Sequence, residues 1–138
     1  MAIWELRQDS IHPATRTSFQ AAGIRERDDL QRLVREHIDV ISPDTLVIAE
    51  EFCHWDDSKR RIDLLGLHRP TANLVVIELK RTEDGGHMDL QAIRYASMVS
   101  TMSFRRVVEA HQQYLAARGI AEDAETRILE FLGWPEAD

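Results

Sequence analysis

"RIDLLGLHRPTANLVVIELK", residues 61–80, is the stretch on which the fold turns. Two apolar runs, 62–67 and 74–79, flank "HRPTAN", whose proline and asparagine suit a tight turn. The pattern predicts a β-hairpin. Facing residues of an antiparallel pair keep a constant index sum, and a turn centred between Pro70 and Thr71 sets that sum at about 141. Asp63 then lies opposite Glu78. Side chains alternate faces along a strand, so Glu78 and Lys80 share one side while Ile77 and Leu79 point to the other, towards packing. Two acids and a lysine converge at the open end of the hairpin. A slip of one residue would scatter them.

Working outward, Leu30, Leu33, Val34, Ile38 and Ile41 recur at helical spacing from Arg25 onward. They predict an amphipathic helix ended by "SPD" at 42–44. Residues 46–52 read as a strand ahead of the hairpin, whose arms are 61–67 and 74–80. Beyond "EDGG", helices are expected over 88–100, 104–117 and 121–131. A short strand candidate at 3–6 stands apart. The expected fold is α/β, a mixed sheet flanked by helices, in one domain over 1–138. An N-terminal extension (1–20) precedes a core (21–101) and a helical extension (102–138). No further run supplies a fourth core strand. Either the 3–6 strand joins the sheet, a partner chain completes it, or the chain is the N-terminal part of a longer protein.

Composition narrows the function classes. The 138 residues are 43% hydrophobic and 30% charged, a globular balance. No apolar run approaches the roughly 20 residues that span a bilayer. "MAIWELRQDS" lacks the basic region and apolar stretch of a signal peptide. Cys53 is the single cysteine, so no internal disulfide forms. A cytoplasmic location without membrane partners is expected. The net charge of −7 argues against a long basic groove but permits a local one. Arg60–Arg61, Lys80–Arg81 and Arg105–Arg106 are small basic clusters. Six histidines without metal-ligand spacing and one cysteine make no zinc set. His68 and His87 could approach the acidic patch from their loops. Of Glu50 and Glu51, alternation turns one towards solvent, and Glu51 is favoured as the one near the site. Trp4, Trp55 and Trp134 suit base stacking or ordinary packing.

Two carboxylates facing each other across a strand pair repel unless a cation intervenes. Oxygen-only ligands of this kind suit Mg²⁺ or Mn²⁺. Such an ion lowers the pKa of a bound water and steadies charge on a phosphoryl oxygen. Lys80 adds a point charge beside them. The same residues could instead close the sheet end as ion pairs.

"IDLLGL", "LVVIELK" and "QAIRY", in that order, resemble the PD-(D/E)XK nuclease superfamily, the restriction-endonuclease-like fold. "QAIRY", with Gln91 and Tyr95 one helical turn apart, is similar to the QxxxY helix motif of the recB-like subset. "IRERDDLQRLV" resembles the first helix of such domains, and the likeness spans roughly residues 24–100. DUF91-type domains and the C-terminal nuclease domains of prokaryotic mismatch or branched-DNA endonucleases look most similar. The resemblance implies a core of helix, three strands and helix, with the fold's fourth strand missing here. It implies a Mg²⁺- or Mn²⁺-dependent endonuclease acting on DNA, in repair or restriction. Asp63 and Glu78 would be metal ligands, joined by the Leu79 carbonyl and by Glu26, with Lys80 the catalytic lysine. Gln91 would orient Lys80 or contact the substrate backbone, supported by Tyr95, with Arg81 also on the substrate. Ile62 stands where the motif has proline. The alternative is a non-catalytic DNA-binding or assembly module that keeps the fold. A homodimer through an exposed sheet edge is a further expectation.

Overall fold

The computed structural model describes residues 2–53, 61–80 and 88–136. A hairpin of β1 (Trp4–Arg7) and β2 (Ser10–Pro13) comes first, then a π-helical turn (Glu26–Gln31) running into α1 (Arg32–Glu36) and a 3-10 turn (Ile38–Val40). The strands β3 (Thr45–Phe52), β4 (Ile62–His68) and β5 (Asn73–Ile77) follow, and then α2 (Met88–Val99), α3 (Phe104–Ala117) and α4 (Ala124–Leu132). The architecture is mixed α and β, with two small antiparallel sheets. The larger sheet has the order β3-β4-β5 and is antiparallel throughout, not mixed, among the described residues.

β4 is the middle strand and feeds both faces. Ile62, Leu65 and Leu67 join Ile48 and Ala49 of β3, Tyr95 and Val99 of α2, Val107 of α3 and Ile128 of α4 in one buried cluster. Leu64 joins Val47 and Ile77 on the opposite face, where Val34, Ile38, Leu79 and Tyr114 pack against them. A strand apolar on both faces reads as a near-continuous run, which is why "IDLLGL" lacks clean alternation. Gly66 sits where the two strands crowd. A Cβ there would stand 2.5 Å from the Thr45 Cγ2.

The β4–β5 register is the one expected from the turn. Leu64 faces Ile77, Leu65 faces Val76 and His68 faces Asn73, all with an index sum of 141. β5 ends at Ile77, however, where the sequence pattern runs on to Lys80. Instead of continuing a backbone ladder, the Leu79 N–H donates to the Asp63 Oδ2 at 2.7 Å. A side chain has replaced the next rung.

Two further expectations are corrected. The helix expected from Arg25 to Ile41 is broken into three pieces, interrupted at His37 (φ −129°, ψ 49°). The wide first turn brings Gln31 inward, 3% exposed, and leaves Leu33 and Ile41 outside. Gln31 is tolerated there because it donates to Glu50 Oε1 at 3.0 Å. The N-terminal strand candidate pairs with β2 in its own sheet, Trp4 facing Pro13, and does not extend the larger sheet.

β3 carries a register shift between Val47 and Ala49, which bends the strand at Ile48. The fully buried His111 of α3 donates from Nδ1 to the Ile48 carbonyl at 3.1 Å. That bond ties α3 to the irregular point of the strand and answers the accounting that a disturbed ladder demands.

Candidate metal centre

Asp63 lies on β4 and Glu78 immediately follows β5, at the end of the hairpin away from its turn. Asp63 alternates with Leu65 and Glu78 with Val76, and both of those apolar residues belong to the cluster under α2. The two carboxylates therefore share the face that α2 covers. Asp63 accepts the Leu79 N–H, and the Asp63 backbone N–H in turn acts to lower the Glu78 carboxyl pKa.

The electrostatics is that of crowded, half-buried acids. Burial first, and the neighbouring charge of Asp63 second, push the Glu78 carboxyl up to about 7. Burial also raises Asp63, against the opposing bond from Leu79, and the charges of Glu51 and Glu26 push the same way. Lys80 lowers both carboxyls, and its Nζ stands 3.6 Å from the Glu26 Oε1. Glu26 is the acid in contact with the ammonium, and Asp63 and Glu78 feel its charge. The Glu78 Oε1 is buried with no hydrogen-bond partner among the described residues.

The sequence-derived candidates are distributed as follows. Asp63, Glu78, Lys80 and Glu26 come together electrostatically, and Glu51, not Glu50, is the β3 acid whose charge reaches Asp63 and Glu78. Glu51 achieves this with a left-handed backbone, φ 50°, at the end of β3. Glu50 turns to the other side, onto Arg35 Nη1 at 2.7 Å and Gln31. Leu79 packs its side chain on the second cluster. Gln91 donates to the Tyr95 hydroxyl at 3.2 Å, and Tyr95 is fully buried in the core above the same face. His68 pairs with Thr71 at 2.9 Å at the closed end of the hairpin, away from the acids. Arg81, His87, Trp55 and Arg60 lie outside the described residues.

The arrangement fits a hard divalent ion in donor type: oxygen ligands, an excess of negative charge and one buried oxygen without a partner. Among the described residues, no three His, Cys, Asp or Glu groups stand close enough to form a ready-made ion cage. Mg²⁺ is commonly held by one or two carboxylates together with water and substrate phosphate, and Asp63 and Glu78 are two carboxylates whose charges act on each other.

Sequence reasoning missed two polar groups. The Gln31–Arg35–Glu50 network gave no signal, because its helix turn is π-wide and breaks the expected period. His111 was detectable: it lies at helical spacing between Val107 and Leu115 on the buried stripe of α3.

No helix among the described residues is long and apolar enough to cross a membrane. Compared with protein-family models, curated proteins and solved structures, the chain finds no match.

Proposed function

We propose that the chain is a metal-dependent nuclease domain of the PD-(D/E)XK type, with a restriction-endonuclease-like core, hydrolysing DNA phosphodiesters by attack of water. One observation carries the reading: Asp63 and Glu78 are brought together at the open end of the β4–β5 hairpin, with Lys80 acting on both. Asp63 and Glu78 would hold Mg²⁺ or Mn²⁺, joined by the carbonyl of Leu79, the next residue after Glu78, and by Glu26, which reaches the site from the first helical turn beside Lys80. A bound ion would supply an acidified water and charge neutralisation at the phosphoryl oxygens.

The chain's own contributions follow from its contacts. The Leu79 N–H holds the Asp63 carboxylate in place, so little reorganisation of that ligand is needed when a cation arrives. Lys80 supplies positive charge at the end of the same segment, suited to a phosphorane-like transition state or to steering the attacking water. Glu26, 3.6 Å away, keeps that ammonium in place. Tyr95 anchors Gln91 on the covering helix, where Gln91 is set to contact the substrate backbone.

The test is incubation of the chain with single-stranded, nicked, mismatched and branched DNA in Mg²⁺ and in Mn²⁺. Metal-dependent cutting that falls by at least about 100-fold in Asp63→Ala and Lys80→Ala is the expected result. Absence of cutting on all four substrates in both ions would overturn it. A non-catalytic DNA-binding module is the second reading, favoured by the lack of a three-ligand cage among the described residues. It expects DNA binding indifferent to divalent ions and to Lys80→Ala.

A further inference from the structure

An open cleft of about 660 Å³ lies between the last residues of β3, Arg61 just ahead of β4, and the length of α3. Glu51 lines it, and Glu51 is also the β3 acid whose charge acts on Asp63 and Glu78. Arg61, two residues before Asp63, lines it as well. Glu51 is thus common to the lining of the cleft and to the electrostatics of the acidic site.

Two of its arginines lack the carboxylate partner that most arginines elsewhere have among the described residues. Arg25, Arg32, Arg35, Arg69 and Arg127 are each engaged with a carboxylate. Arg106 at the near end of α3 is likewise held by Glu109 at 3.1 Å. Arg61 and Arg118, both exposed in the cleft, have no carboxylate partner among the described residues. Arg118 lies 5.5 Å over the Tyr114 ring, a contact that helps position the guanidinium. An exposed guanidinium with its donors unused is the group that recognises phosphate.

The dimensions choose between a strand and a duplex. The volume is that of a small-molecule site, too little for a double helix whose major groove alone is roughly 12 Å wide. Along α3 the cleft runs roughly 20 Å, the length of several nucleotides. Phe52 and Met102 add apolar surface for bases.

We propose that this cleft is the track of a single nucleic-acid strand, its phosphates held by Arg61 and Arg118 and its path leading to Asp63 and Glu78. The assignment of the path's end rests on the nuclease reading above. The test is fluorescence anisotropy with labelled oligothymidine of about ten nucleotides in EDTA, with thermal melts confirming that each variant folds. Arg61→Gln and Arg118→Gln should each weaken binding about 3- to 10-fold. The double variant should make the salt dependence shallower by about 1.4, at roughly 0.7 per phosphate contact on a single strand. Arg94→Gln, which removes an exposed charge from α2 outside the cleft, should leave affinity unchanged. Equal affinity of the double variant and Arg94→Gln, or a duplex of the same length binding as tightly as the strand, would overturn the proposal. Binding in EDTA involves neither ion nor cutting, so a failure here is distinct from a failure of the nuclease reading.

Discussion

At the scale of single residues, the consequential feature is a glutamate that the fold holds partly protonated at neutral pH. Glu78 is raised by burial and by Asp63 to about 7. A carboxyl with a raised folded pKa binds more protons in the native than in the unfolded state between about 4.5 and 7. Stability therefore falls as pH rises through that window, and the penalty is complete above it. Glu78→Gln should stabilise the ion-free protein by about 1–2 kcal/mol at pH 8, allowing for solvent screening, and by little at pH 4. Urea melts at the two pH values check this, and a variant equally or less stable at pH 8 would contradict it. The positions of Asp63 and Glu78 were legible because the turn sets the register and the register sets the pairing. That Lys80 lies beyond the strand was not, since a side-chain acceptor for the Leu79 N–H leaves no trace in hydropathy.

At the scale of elements, the hairpin is legible and the first helix is not. β4 and β5 are specified redundantly, by apolar runs and by turn chemistry, and their predicted register agrees with the observed one. The 25–41 segment has the apolar spacing of one helix, yet tertiary contacts of Gln31 and Arg35 with Glu50 favour a wide turn and a break. Close approach inside the sheet yields a sharp test. Gly66→Ala should cost about 1–3 kcal/mol, because the new methyl meets the Thr45 Cγ2 at 2.5 Å. Thr45→Ser, which deletes that methyl, should recover part of the loss, as a double-mutant cycle by chemical denaturation would measure. In the covering helix, Tyr95→Phe should cost about 0.5–1.5 kcal/mol through the lost bond with Gln91. A negligible change in its denaturation midpoint would count against that bond.

At the scale of the whole molecule, α3 is fastened to the sheet through His111, and this gives the protein a second pH response of opposite sign. Burial lowers the His111 pKa below its ordinary 6.5. The unfolded chain takes up the proton first as pH falls below about 6.5, so this contribution is complete above that value and is lost on acidification. His111→Gln, which keeps an N–H donor but cannot titrate, should remove the acid-side loss and leave the Glu78 slope exposed. The mix of helices with antiparallel strands was legible from periodicity. The separate β1–β2 hairpin was not, because its partner strand, Ser10–Pro13, ends in a proline that argues against a strand. The account stands or falls on whether the carboxylate pair holds an ion. Calorimetric titration of Mn²⁺ into the wild-type chain should show one site at pH 8, weakened about tenfold at pH 6 as Glu78 takes up its proton, and lost in Asp63→Ala. An absence of binding by the wild-type chain, or an unchanged isotherm in Asp63→Ala, would contradict it.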